Sequence, residues 1–269
     1  DSYESIGEDL VNACVNDIIV TGAKPLFFLD YVAVGELSSG TIEALLGGMT
    51  RACRAVDCAL IGGETAQMPG LYAKGDFDMA GFAVGVVEKS EILDPSGVTE
   101  GDLLLGLPSN GLHTNGYSLV RRALGLDDDP SPLWEHHGKL DGTLGEALLR
   151  PHLSYYPVVR PLFSVVKCMA HVTGGGLAEN VPRALPEGLA ARFDATTWQV
   201  PPIFSLLREA GTIALDEMYR VFNMGLGMVL ICDRVRVAEA MALAPEALLV
   251  GEVVRAEDDR VRLLCAKRL

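Results

Sequence analysis

The stretch Leu10-Val11-Asn12-Ala13-Cys14-Val15-Asn16-Asp17-Ile18-Ile19-Val20-Thr21-Gly22-Ala23-Lys24-Pro25-Leu26-Phe27-Phe28-Leu29-Asp30-Tyr31-Val32-Ala33-Val34-Gly35 changes its period halfway along. Leu10, Val11, Cys14, Ile18 and Ile19 recur at helical spacing, which predicts a helix over 7–23 closed by Gly22. From Pro25 to Gly35 the chain is aromatic, aliphatic and β-branched, which predicts a mostly buried strand. A helix that hands over directly to such a strand opens a layered α/β domain.

Working outward, residues 41–56 repeat the helical pattern. A short strand over 58–62 runs into Gly62-Gly63-Glu64-Thr65, and 79–88 reads as a further strand. Asp94-Pro95-Ser96-Gly97 has the composition of a hinge. The expected division is therefore a first domain over 1–96 with a mixed sheet and a second α/β domain over 97–269, with a cleft between them. In the second, strands are predicted at 102–107, 167–172, 189–193, 227–232, 248–254 and 260–264. Helices are predicted at 117–126, 177–185, 202–210, 215–222 and 234–243, with a surface loop over 127–142.

Composition narrows the function. The chain has 269 residues, 49% of them hydrophobic, so it can build substantial cores. Its longest apolar runs, 80–87 and 224–232, have the length of strands, not of membrane spans, and the first residues are acidic and polar, unlike a targeting peptide. A formal charge of −14 argues against nucleic acid as a partner, since phosphate backbones are met by clustered Lys and Arg. It leaves small phosphorylated ligands open, because backbone N–H groups and metal ions can hold those. The six cysteines (14, 53, 58, 168, 232 and 265) form no C-x-x-C pair and read as buried free thiols of a cytosolic protein. Cys168-x-x-His171 has a metal-like spacing without a second pair nearby and reads as core.

Two segments of the second domain share one layout of apolar strand, polar glycine-containing loop and helix. The first is Ser109-Asn110-Gly111-Leu112-His113-Thr114-Asn115-Gly116, and the second Thr173-Gly174-Gly175-Gly176, followed by a helix with Asn180. Glycines admit close approach of the backbone to a ligand, and a helix start offers N–H groups to an anion; the same glycines also serve simply to turn the chain. His113 fits a general acid/base, a phosphate donor or a satisfied structural histidine, whereas His136, His137 and His152 lie in polar, exposed-looking segments. The first ninety residues hold thirteen acids and five bases, a net of −8, a surface that would repel a polyphosphate such as ATP unless divalent cations intervene. Asp17, Asp30 and Glu64 lie in apolar surroundings. Asp17 is either a metal-associated carboxylate or an exposed helix position, Asp30 reads as a hydrogen-bonded strand-end residue, and Glu64 follows a glycine pair at a strand end where ligands of α/β sheets collect.

Taken in order, Gly7-Glu8-Asp9-Leu10-Val11, Val15-Asn16-Asp17-Ile18, residues 22–31, Gly62-Gly63-Glu64-Thr65-Ala66-Gln67-Met68-Pro69-Gly70, Asp78–Phe82, residues 109–121, His171–Gly176 and Met218-Tyr219-Arg220-Val221-Phe222-Asn223-Met224-Gly225 resemble the phosphoribosylformylglycinamidine cyclo-ligase (aminoimidazole ribonucleotide synthetase) family along the whole chain. The resemblance implies ATP-dependent closure of formylglycinamidine ribonucleotide to aminoimidazole ribonucleotide, with phosphorylation of the formyl oxygen followed by attack of the amidine nitrogen. It implies ATP and Mg²⁺ as cofactors, and a homodimer formed through the strands near 25–35 and 79–88. Asp17, Glu64 and Thr65 are expected to serve Mg-ATP, with Asp17 and Glu64 at the metal and Asp17 also catalytic. His113 is expected to be catalytic, and Ser109, Asn110, Gly111, Asn115, Thr173, Gly174, Gly175, Gly176 and Asn180 to bind the ribonucleotide. No Walker-type G-x-x-x-x-G-K-[ST] loop is present.

The sequence departs from the family in two ways. Members carry several dozen residues ahead of the position of Asp1, including a glycine-rich loop and an Asp-Gly-Val-Gly-Thr-Lys segment, so the resemblance implies a first domain incomplete at its start. Gln67 stands where many relatives have Glu. The rivals are a sister Mg-ATP enzyme on the same fold, of the thiamine-monophosphate kinase or selenophosphate synthetase type, and a non-catalytic nucleotide-binding subunit. The Ser109–Gly116 loop favours the cyclo-ligase over the sister enzymes.

Overall fold

A computed structural model describes residues 3–264, and the chain divides into two compact units. The first comprises Asp1–Ile92 together with Pro151–Pro157; the second comprises Leu93–Arg150 and Val158–Leu269. Cys265, read above as a buried thiol, lies outside the described residues; the other five cysteines are free thiols.

In the first unit, α1 (Tyr3–Ile19) leads through a turn at Gly22 into β1 (Lys24–Val34), followed by α2 (Ser39–Ala55), β2 (Ala59–Gln67) and β3 (Phe77–Val86). The sheet order is β2-β1-β3, with β1 parallel to β2 and antiparallel to β3, a mixed sheet as expected. Val11, Val15 and Ile19 of α1, Leu45 and Met49 of α2, and Phe28 and Val32 of β1 are fully buried, which puts the core between the helices and one face of the sheet. A Cβ on Gly81 of β3 would strike the Phe28 ring and the Cys14 sulfur, so the helical layer is packed tightly. The other face carries exposed apolar residues: Phe82 is 64% accessible and Ile61, at the bulge of β2, is 59%.

Two sequence expectations change here. β2 does not stop at Gly62 but continues through Glu64 to Gln67, so Glu64 sits within an edge strand opposite Tyr31. Parallel pairing with β1 carries the strand through glycines that propensity alone reads as a terminator. Asp30 likewise lies inside β1, against Gly63 of β2, instead of at a strand end.

The second unit contains β4 (Leu103–Pro108), α3 (Tyr117–Leu124), α4 (Leu144–Leu148), the second half of the single turn α5 (Tyr156–Val159), whose first two residues belong to the first unit, β5 (Val166–His171), α6 (Gly176–Asn180), β6 (Leu189–Asp194), α7 (Pro202–Gly211), α8 (Leu215–Val221), β7 (Leu226–Cys232), α9 (Val237–Leu243), β8 (Leu248–Arg255) and β9 (Val261–Leu264). Its six-stranded sheet has the order β5-β7-β4-β8-β6-β9. Every residue of β7 is buried, so both faces of the sheet centre are covered. Leu104, Val229, Ile231 and Val250 pack into the main core with Phe193, Phe204 and Phe222, and the alternating residues Leu105 and Leu230 are fully buried as well. Short helices α4 and α5 were not expected from sequence; Thr143 starts α4 with a capping box closed by Glu146. The predicted helix over 177–185 is cut to one α-helical turn and a 3₁₀ turn, with Pro182 removing a backbone donor.

Candidate functional site

Two loops of the second unit meet. β4 ends at Pro108, and the loop through Ser109–Gly116 delivers the chain into α3; β5 ends at His171, and Thr173–Gly175 delivers it into α6. Asn115 Oδ1 lies 3.3 Å from where a Cβ on Gly174 would stand, so the glycine lets the two loops touch. Thr114 and Gly174 are exposed at the lip, while Ser109, Gly111, Leu112 and His113 form a buried floor. A cleft of about 580 Å³ lined in part by Pro108, Trp198, Gln199 and Gly225 opens at the base of the first loop.

His113 is almost completely buried and adopts a left-handed backbone, φ 59°. Its Nε2 is 3.0 Å from Asn110 Oδ1, which makes that nitrogen the N–H donor in this tautomer. Burial, reinforced by the neighbouring His171, pushes the imidazole down to about 3. The ring is therefore neutral near pH 7. Of the roles open at the sequence level, that removes a standing imidazolium acid and leaves a neutral base or a neutral N–H donor.

The second loop is held from inside. Asn180 donates from Nδ2 to the carbonyls of Gly176 (2.8 Å), Gly174 (3.2 Å) and Thr173 (3.4 Å) and takes the Thr173 hydroxyl at 3.2 Å. Asn180, expected from the resemblance to bind substrate, thus directs its amide into its own loop and is 3% exposed. Gly176 has φ 56°, and a Cβ there would lie 2.1 Å from the Tyr219 carbonyl oxygen, so only glycine fits. Glu179 lies against Gly175, with its carboxylate 2.5 Å from where a Cβ on that glycine would stand.

The acids of the first unit are placed differently. Asp17 is exposed in the last turn of α1, and Glu64 and Thr65 are exposed on edge strand β2. α1 ends beside the start of β1, whereas Glu64 pairs opposite Tyr31, roughly 20 Å further along at the rise of a β-strand. Among the described residues no group of three or more His, Cys, Asp or Glu side chains is gathered to hold a metal ion. Asp17 and Glu64 thus stand on different elements, one at the end of α1 and one within β2.

His152, which its polar neighbours placed at the surface, is buried instead, 1% exposed. One face of α1 accounts for it. Asp9 accepts the His152 N–H at 2.6 Å, Asn12 donates to the His152 carbonyl at 2.7 Å, and Asn16 donates to the Leu153 carbonyl at 2.8 Å. Asn16 also lies 3.1 Å from His152 Nε2 and accepts from the Tyr155 N–H at 3.0 Å. Sequence reasoning singled out Asp17 on this helix and passed over the residues at helical spacing beside it. Asn at two buried helical positions was the available signal, since a buried carboxamide must find partners.

The class comes from family models and named relatives, which place the chain among the AIR synthases. A family model described as AIR synthase related protein, N-terminal domain, matches residues 1–87, and one described as AIR synthase related protein, C-terminal domain, matches 99–264. The phosphoribosylformylglycinamidine cyclo-ligase of Desulfitobacterium hafniense is 48% identical over 258 residues, covering 93% of this chain and 75% of the relative. That of Aromatoleum aromaticum is 49% identical over 259 residues, covering 94% and 72%. Among solved structures, thiamine-monophosphate kinase from Stenotrophomonas maltophilia superposes with TM-score 0.71 at 19% identity, covering 98% of this chain and 79% of that one. E. coli HypE superposes with TM-score 0.68 at 21% identity, covering 96% and 76%; at such identities the likeness shows the fold alone. The chain belongs to the phosphoribosylformylglycinamidine cyclo-ligase family.

Proposed function

We propose that the joined loops Ser109–Asn115 and Thr173–Gly176 hold the ribonucleotide during ATP-dependent closure of formylglycinamidine ribonucleotide to aminoimidazole ribonucleotide, the purine-biosynthetic ligase activity of this family. The observation that carries the reading is the contact of Asn115 with Gly174, which joins two glycine loops into one lip over a buried imidazole. Uncharged Ser109, Asn110, Asn115 and Thr173 suit ribose and amide groups, and the glycines give backbone N–H groups access to a phosphate. His113, neutral and held by Asn110, acts as base or N–H donor at the reacting formylglycinamidine end. Ring closure of this kind depends on positioning and on neutralising charge.

Asp17 and Glu64 are proposed to serve ATP from the first unit, each separately. Mg²⁺ takes one or two carboxylates and otherwise phosphate and water oxygens, so an exposed Asp17 suits an ion that arrives with the nucleotide. One neighbour of the same fold, AaThiL, was solved with AMPPCP and TMP, which supports nucleotide use. The exposed apolar face carrying Ile61 and Phe82 supports a homodimer formed through this sheet. Among the described residues no helix is long and apolar enough to cross a membrane, and the free thiols support a cytosolic location. The test is steady-state ADP release dependent on formylglycinamidine ribonucleotide by the full-length protein, compared with Ser109→Ala and Asp17→Asn. Ser109→Ala should raise KM for the ribonucleotide and Asp17→Asn should shift the Mg²⁺ titration. Unchanged kinetics in both overturn the assignment.

A further inference from the structure

The segment Met218–Gly225 ends α8 and turns into β7, and it touches both loops of the proposed site. The Phe222 ring stands 2.3 Å from where a Cβ on Gly116 would be, at the close of the first loop. The carbonyl oxygens of Tyr219 and Phe222 stand 2.1 and 2.9 Å from a Cβ built on Gly176, at the close of the second. Asn223 then reaches the floor between them. Its Oδ1 accepts from Ser109 Oγ at 2.7 Å and from the Gly225 N–H at 2.9 Å; its Nδ2 donates to the carbonyls of Gly111 at 2.8 Å and Leu112 at 3.2 Å. A carboxamide has two donors and two lone pairs, so all four are used, and two carbonyl partners fix which end carries the N–H groups. With 3% exposure and no capacity left, Asn223 has nothing to offer a ligand.

What it does instead is hold the peptide that precedes His113. A histidine in the left-handed region stays there only when its neighbours fix it. Leu112 is bonded by Asn223, and Asn223 is itself seated by Met224 and Gly225, which both have positive φ. Trp198 Nε1 donates to Met224 O at 3.0 Å, and the Ser109 N–H donates to Gly225 O at 2.9 Å. Ser109, Gly111, Leu112 and both loop ends are therefore referenced to one short segment. We infer that Asn223 is a positioning residue of the ring-closing reaction, setting the Ser109–His113 floor against the ribonucleotide without touching it. The inference rests on the placement of the ribonucleotide proposed above.

The experiment compares Asn223→Ala and Asn223→Asp with Ser109→Ala and His113→Ala in the full-length enzyme, with melting temperature and circular dichroism as controls. Misplacing reacting groups by about an ångström costs on the order of a hundredfold, so Asn223→Ala should lower kcat/KM for formylglycinamidine ribonucleotide by about that factor while KM for ATP stays within about twofold. In Asn223→Asp the introduced carboxylate keeps both acceptor bonds and loses both donors. Protonation restores one donor, so its KM for the ribonucleotide, taken relative to that of wild type at each pH, should fall as pH is lowered. A residue that merely supports the fold lowers the melting temperature and the active fraction, leaving KM and its pH dependence as in wild type; that result overturns the inference. Ser109→Ala and His113→Ala separate the two levels. If they lose activity while the Asn223 variants keep wild-type kcat/KM, the positioning role falls and the site stands. If all four retain wild-type kinetics, the placement of the ribonucleotide is wrong. If Asn223→Ala does not fold, the pH dependence of KM in Asn223→Asp decides.

Discussion

The two sheets of this chain bury themselves to different degrees. In the second unit every residue of β7 is inaccessible, and both faces of the sheet centre are packed. In the first, β3 alternates half-buried and exposed residues and β2 is exposed almost throughout, so one face is covered by α1 and α2 and the other is open. A sheet with one solvated face normally turns polar residues outward. Here Ile61, Phe82 and Val86 face out instead. The second sheet is finished by its own helices; the first leaves apolar residues on an open face, which is the support for the homodimer proposed above.

The same kind of substitution should therefore fail in two different ways. A carboxylate at Leu230, fully buried in the second sheet, has no partner and costs several kcal/mol, a large part of a typical domain's stability. Leu230→Glu should yield no folded second unit, read by circular dichroism and limited proteolysis. Phe82→Glu, on the open face, should leave the melting temperature of an isolated protomer nearly unchanged and reduce the mass measured by sedimentation from dimer to monomer. Equal damage at both positions breaks the contrast, and a monomeric wild type retires the association.

The units also differ in how their irregular segments are held, and that difference explains what the sequence showed. Helix and strand periodicity placed the principal elements of both sheets, because burial on a face writes itself into spacing; Leu10–Ile19 and Pro25–Val34 are read directly. The contact partners of polar side chains are not periodic. Asn223 looks like an ordinary loop residue, and Asn180 like a ligand residue, until Gly111, Leu112, Thr173 and Gly176 are folded against them. The extension of β2 through Gly62 and Gly63 is a pairing effect supplied by β1, and so it was invisible locally. The burial of His152 depends on residues more than a hundred positions away, on α1. Ser109–Asn115 and Thr173–Gly176 were legible as loops because strand, glycine and helix follow in order; their mutual contact at Asn115 and Gly174 was not.

His113 sharpens the comparison on the side of the second unit, whose proposed site is held by uncharged groups. His113→Ala should lower kcat by about a hundredfold or more, the usual size of an acid/base contribution, with KM for ATP little changed. Because burial pushes the imidazole down to about 3, the wild-type kcat/KM profile should show no His113 inflection between pH 5 and 8. An inflection near 6.5 that disappears in His113→Gln, which keeps a neutral donor, would show that the ring titrates as an exposed histidine and would remove the buried-imidazole reading. Turnover by both variants at the wild-type rate makes His113 structural.

The smallest effect is expected where the first unit uses a titratable group for the same task. Asp9 holds the Pro151–Pro157 segment by accepting the His152 N–H, with Asn12 and Asn16 beside it. Burial raises its carboxyl to about 6, opposed by that hydrogen bond and helped by Glu8. The folded state therefore binds this proton more tightly than the unfolded chain, whose Asp titrates near 4. Stability from Asp9 is fully present below about pH 4 and is lost as pH rises through about 6, amounting to roughly 2–3 kcal/mol for a shift of about two units. Asp9→Asn keeps an acceptor for the His152 N–H and removes the titration. The variant should match wild type near pH 4.5 and be more stable by about 2 kcal/mol at pH 8, measured as the difference between their urea midpoints across that range. Amide exchange should localise the difference to His152 and Tyr155, leaving Leu112 and His113 in the second unit untouched, since Asn223 carries no proton that titrates. Parallel midpoint curves for the two proteins would show that Asp9 is ionised without penalty, and the contrast between a titratable and an uncharged clasp would then disappear.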